Sequence, residues 1–86
     1  PDWIIEILSP YTSRRDMIAK LALYQRHGVR EYWVVDPGNR FIHVYLRGAD
    51  GRYPEPALLV GKAVARSTVC EGLEIALEGL FAAIPA

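Results

Sequence analysis

The 86-residue chain has one cysteine, one methionine and two histidines, and its ten basic residues are matched by ten acidic ones. A lone Cys70 excludes an intrachain disulfide and fits a reducing compartment. Set between Val69 and Glu71, it reads as a packing residue rather than a ligand. His27 and His43 have no metal-ligand spacing with each other or with Cys70. A formal charge of zero excludes a global field that would draw the chain to DNA or to an anionic membrane. Any nucleic-acid contact must then use local clusters, such as Arg14, Arg15 and Lys20, or Arg26 with Arg30. No apolar run approaches the ~18 residues of a membrane span, and no charged-then-apolar leader opens the chain. A glycine-rich phosphate loop, a zinc ligand set and a nucleophile elbow are also missing. The expectation is a soluble, cytoplasmic protein.

What is present is hydrophobic: 51% of the residues. That argues for a globular chain rather than a disordered one. At this length a single domain is expected, burying about 60–65% of its unfolded surface.

The segment Pro1–Pro10 organises the rest. Side chains alternate on a strand, so Trp3, Ile5 and Ile7 point one way and Asp2, Ile4, Glu6 and Leu8 the other. A strand apolar on both faces predicts a central, buried position. Glu6 is the exception on it. A buried carboxylate must be protonated, paired or bound to a cation. The chain lacks a leading Met and opens on this strand, so upstream elements are expected to be missing or to come from a partner.

Ser9-Pro10 ends the strand, because proline has no N–H for the ladder. Thr12 or Ser13 offers a helix cap, with Asp16 three residues after Ser13. Met17, Ile18, Leu21 and Tyr24 form a helical stripe, and Gly28 suits the position after the last turn, which predicts a helix from Ser13 to His27. Glu31–Val35 is rich in strand formers. Strand, helix and strand make a right-handed βαβ unit with parallel strands. Asp36-Pro37-Gly38-Asn39 predicts a type II turn with Gly38 at its third position, leading into an antiparallel strand over Phe41–Leu46. Pro54 and Pro56 forbid a central strand there. Ala57–Val60, Ala63–Arg66 and Leu73–Leu77 predict short edge strands. Leu77–Ile84 predicts a short helix stopped by Pro85. The expected class is α/β (α+β): a mixed sheet with a βαβ unit, then a hairpin and a C-terminal helix.

Lys20 lies at the border of the helical stripe, where it can turn inward to Glu6. That pair could be a metal-binding carboxylate with a lysine that activates water or steadies charge on a phosphate. It could equally be a structural ion pair, or Lys20 could instead face Asp16 one helical turn away. On spacing alone the structural readings weigh more. Asp2 shares the face of Glu6, but four residues of strand span ~13 Å, so the two carboxylates could share one Mg²⁺ only by leaning hard toward each other. Asp36 reads as a turn cap. Arg14 and Arg15 read as a solvated basic patch that could also meet phosphate.

Three blocks in register carry a resemblance. They are Pro1-Asp2-x-x-x-Glu6-x-Leu8-Ser9-Pro10, then Arg15-Asp16-x-x-x-Lys20-Leu21-x-Leu23-Tyr24, then Gly28-Val29-x-Glu31-Tyr32-Trp33-Val34-Val35-Asp36-Pro37. Together they resemble the Uma-type family of bacterial restriction-endonuclease-like proteins, in the PD-(D/E)XK nuclease superfamily. The likeness implies the C-terminal part of a nuclease domain, with DNA as partner and Mg²⁺ or Mn²⁺ as cofactor. Glu6 would match the acidic residue of the (D/E)XK strand. Leu8 stands where that motif has its lysine, so Lys20 would supply the amine from the helix. The superfamily's first metal-binding Asp lies on an earlier strand; Asp2 belongs to the Glu6 strand and stands beside Glu6 only as the weaker of two metal candidates. Two functions are thus expected as alternatives. One is a metal-dependent endonuclease, complete or not. The other is a non-catalytic module that self-associates, as a homodimer, through an open sheet edge.

Overall fold

The computed structural model describes residues 2–84. The element order is β1 (Trp3–Ile7), α1 (Arg14–Arg26), β2 (Glu31–Asp36), β3 (Phe41–Leu46), β4 (Ala57–Val60), β5 (Val64–Arg66), β6 (Glu74–Ala76) and α2 (Leu77–Ala83). β1 to β4 form one mixed sheet in sequence order, and β5 and β6 form a separate two-stranded sheet. β1 runs parallel to β2, and the next two pairings are antiparallel. The mixed α+β class, the βαβ unit, the hairpin and the terminal helix are as expected.

The register sorts the side chains into two faces. Trp3, Trp33, Val35, Val44, Ile42 and Leu59 fall on one. There they meet Ala65 of the small hairpin and Leu77 and Phe81 of α2, and this is the core. Trp33 and Ile42 are fully buried in it. Trp3 sets its ring edge-on to Trp33, centroids 5.2 Å apart. The other face carries Ile4, Glu6, Tyr32, Val34, Phe41, His43 and Tyr45, and α1 lies over its β1–β2 half, where Tyr24 touches Tyr32 at 4.9 Å.

α1 starts where Ser13 accepts a hydrogen bond from the Asp16 N–H. It ends at His27, followed by Gly28 at φ +74°, a backbone conformation that only glycine adopts without strain. Met17, Leu21 and Tyr24 are half-buried against the sheet. Ile18, expected in the same stripe, is 59% exposed.

Several expectations are corrected. β1 is not central: among the described residues it is an edge strand, and β2 holds the buried middle. Its two apolar faces arise because one packs on the core layer and the other under α1, while its outer edge has no strand beside it. Ile5 and Ile7 are accordingly exposed. The turn after β2 is not type II, since Gly38 lacks the positive φ that type requires. Arg40 takes the left-handed conformation instead, at φ +55°. Asp36 accepts hydrogen bonds from both the backbone N–H and the side-chain amide of Asn39, at 3.0 Å each, which is the turn-capping role read from sequence. Val64–Arg66 pairs with Glu74–Ala76 and not with the main sheet. α2 ends at Ala83, and Pro85, expected to stop it, lies outside the described residues.

Glu31 was not singled out by the sequence, yet it is the buried charged residue of the chain's centre, fully enclosed at the start of β2. Its Oε1 accepts from the N–H and hydroxyl of Thr68, at 2.8 and 2.7 Å. This ties the β5–β6 loop to the main sheet. The available signal was its position two residues before Trp33, which puts it on the core-facing side of the strand.

Candidate functional site

Glu6 sits two-thirds along β1, on the face under α1. Its Oε2 accepts from Lys20 Nζ at 3.1 Å, and its Oε1 accepts from the Tyr24 hydroxyl at 2.7 Å. Lys20 and Tyr24 are one helical turn apart, so both reach down from the same side of α1. Of the two partners open to Lys20 from the sequence, Glu6 and Asp16, the structure pairs it with Glu6. Tyr24 was placed in the apolar stripe, although its i+4 offset from Lys20 pointed to the same destination.

The site lies at the rim of the fold. The Glu6 side chain is 24% exposed and that of Lys20 is 47%. Glu6 is thus not the fully buried charge its strand suggested, and its cost is met by two donors. Such a half-exposed pair adds only about 0–1 kcal/mol of stability. A groove of about 320 Å³ runs along this side of α1, lined by Ser9, Thr12, Asp16 and Lys20 among others. A larger cavity, about 450 Å³, lies instead beyond the carboxyl ends of β1 and β2, against Pro10, Met17 and Pro37, and includes neither Glu6 nor Lys20.

Asp2 is not drawn toward Glu6. Its carboxylate pairs with Arg30 at 3.1 Å, both groups being well exposed. Among the described residues no group of three His, Cys, Asp or Glu side chains could hold a metal ion. Mg²⁺ takes near-octahedral oxygen ligands at ~2.1 Å, commonly one or two carboxylates with water and phosphate. Glu6 fits as one such carboxylate. The other ligands would have to be water, substrate phosphate or residues beyond these.

His27 caps α1 and Cys70 is a half-buried free thiol whose N–H donates to the Ser67 hydroxyl. His43 stands between Phe41 and Tyr45 on β3, ring centroids 4.8 and 6.2 Å away. Arg14 and Arg15 are exposed in the first turn of α1.

Tyr24, Tyr32, Tyr45 and Tyr53 form a cluster around the site, with Tyr32 stacked on Tyr45 at 5.7 Å. The hydrogen bond to Glu6, then burial and the nearby carboxylate charge, push the Tyr24 hydroxyl above the ordinary tyrosine value of 10.0. Burial, and secondarily the Glu6 charge, push Tyr32 far up. Burial raises Tyr45 and Tyr53 as well. A phenol whose folded pKa is raised favours folding fully below its unfolded pKa, and that stability is lost as pH climbs through the folded value. The protein should therefore lose stability above about pH 10. Ultraviolet titration of tyrosinate should show these four ionising later in the folded protein than in denaturant. Coincident curves would contradict the cluster's burial.

No helix among the described residues is long and apolar enough to cross a membrane. No curated protein matches the sequence. Among solved structures, the chain is similar to "a putative nuclease belonging to DUF820 from Anabaena variabilis ATCC 29413", with a TM-score of 0.80 and 26% identity. The match covers 95% of this chain and 44% of that one, so the chain spans less than half the length of its solved relative. The family model described as "Putative restriction endonuclease" matches residues 1–78. The chain belongs to that family, Uma2.

Proposed function

We propose that the chain is part of a PD-(D/E)XK-type nuclease domain that hydrolyses DNA phosphodiesters, with Glu6 and Lys20 as site residues and Mg²⁺ or Mn²⁺ as cofactor. The observation that carries this is the Glu6 carboxylate held between Lys20 and Tyr24, with Lys20 also lining an open groove, in a chain of the family described as "Putative restriction endonuclease". When bound, the metal would activate water and neutralise charge developing on the phosphate. Tyr24 fixes the orientation of the Glu6 carboxylate and is a positioning residue. Lys20, partly exposed, has donors free to face a phosphate oxygen as charge builds there. Leu8, in the place of the motif's lysine, leaves Lys20 as the amine on that face. Asp2 is given no role, because its carboxylate is engaged by Arg30. The test is nicking of supercoiled plasmid by the chain with Mg²⁺ or Mn²⁺, against an EDTA control. Metal-dependent nicking is expected, and plasmid left intact with both metals would overturn activity in this chain.

One observation favours the second reading, a non-catalytic module that self-associates. The outer edge of β1 has no strand beside it among the described residues, and Ile5 and Ile7 next to it are 38% and 57% exposed. Unpaired strand edges recruit further strands, so two copies could continue the sheet edge to edge. Sedimentation at increasing concentration should then show a dimer that Ile5→Lys abolishes. A clean monomer throughout would sink it.

A further inference from the structure

α1 covers only half of its face of the sheet. The half over β3 and β4 is left open, and a cleft of about 160 Å³ lies between the helix and that open half. Its floor is Tyr32, His43 and Tyr45, its wall is Ile18 and Leu21, and Arg14 stands at its mouth. We infer that this cleft takes one unpaired base of single-stranded nucleic acid, stacked against the β3 ring row, with a neighbouring phosphate on Arg14. The inference rests on the nuclease reading and gives that site a substrate class.

Four features point to a base rather than to another occupant. Phe41, His43 and Tyr45 alternate on one strand and so share one face, with rings 4.8 and 6.2 Å apart in succession. Aromatic rows on an open sheet are sequence-tolerant stacking platforms, because every base has a π-face. Arg14 is the charged side chain lining the cleft and no carboxylate lines it, which suits an anion. The cleft is well below the ~300–1,000 Å³ of pockets for drug-sized ligands, and too small for a helix of ~10 Å diameter, so a single ring system is the scale it admits. Finally, Glu6, Val34 and His43 are cross-strand partners in one row. Two strand spacings, ~10 Å, therefore separate the cleft from Glu6 on the same face. A strand of nucleic acid crossing the start of α1 would pass both.

The experiment is anisotropy binding of a labelled oligothymidylate and of a blunt duplex of equal length, in EDTA so that no cleavage intervenes. The oligothymidylate should bind more tightly than the duplex. His43→Ala should weaken it about 5- to 150-fold, the range of one lost stacking contact. Arg14→Gln, at an exposed helix start where folding is not at stake, should reduce the slope of log affinity against log salt by about 0.7, one phosphate contact on a single strand. Binding unchanged in both variants, preference for duplex, or no oligothymidylate binding at all would overturn the inference. So would a protein dimer disrupted by Leu58→Lys, since Leu58 flanks His43 and is 58% exposed; the face would then be a protein interface. The two readings fail separately. Oligothymidylate binding without metal-dependent nicking removes the nuclease and leaves the cleft. Nicking with unchanged binding in both variants removes the cleft and leaves the nuclease.

Discussion

Trp33→Ala should cost about 3–5 kcal/mol of folding stability, the range for emptying a large aromatic site in a packed core. A chain of this length has roughly 4–13 kcal/mol in total, at ~0.05–0.15 kcal/mol per residue. A single substitution thus removes between about a quarter and all of it. The site is the worst placed for such a loss. Trp33 is fully buried, and it is packed by the sheet, by the small hairpin through Ala65 and by α2 through Leu77 and Phe81. It is also the ring on which Trp3 rests, edge-on at 5.2 Å. Trp3 anchors the edge strand that carries Glu6, so the substitution should loosen the candidate site as well as the core. Urea denaturation followed by circular dichroism should show a midpoint lowered by the equivalent of about 3–5 kcal/mol, down to a chain already unfolded if the total is at the low end. A midpoint close to that of the unaltered protein would mean the core is not centred on Trp33.

Glu6→Gln and Lys20→Met should behave in the opposite way, with a large effect on chemistry and a small one on folding. Both side chains are at the rim, 24% and 47% exposed, so the pair is worth about 0–1 kcal/mol. Glu6→Gln still offers an oxygen to Tyr24, and Lys20→Met keeps the apolar stem that covers the sheet. Metal-dependent nicking should nonetheless fall by at least ~10²-fold in each, the scale of losing one group that stabilises charge in the transition state. Tyr24→Phe should give an intermediate loss, because it frees the carboxylate to rotate without removing it. The dissociation matters because a purely structural ion pair predicts the reverse: lower stability in both variants, with activity following the folded fraction. Measuring melting temperature beside nicking rate separates the two.

Much of this was legible in local pattern. The βαβ unit follows from two strand-forming runs flanking a capped helix, and Ser13 and Gly28 mark its ends correctly. The meeting of Glu6 and Lys20 was legible from alternation on a strand and the border of a helical stripe. What escaped depends on who sits beside whom. Apolar residues on both faces of β1 report that layers lie above and below it, and say nothing of its edge, so a rim strand read as a central one. Glu31 escaped because a charge beginning a strand looks like a surface residue until Thr68, 37 residues later, closes over it. The type of the Asp36–Asn39 turn escaped because Pro-Gly suits several turns, and the side chain of Asp36 chose one in which Arg40, not Gly38, turns left-handed. Val64–Arg66 and Glu74–Ala76 are too short to declare their partners.

The most direct test of the central claim is a crystal structure of the chain soaked in Mn²⁺. Anomalous density is expected within bonding distance of the Glu6 carboxylate, with Lys20 turned aside and water in the remaining positions. Mn²⁺ on Asp2 or Asp36 with Glu6 still closed against Lys20 and Tyr24, or no bound ion at all, would contradict it.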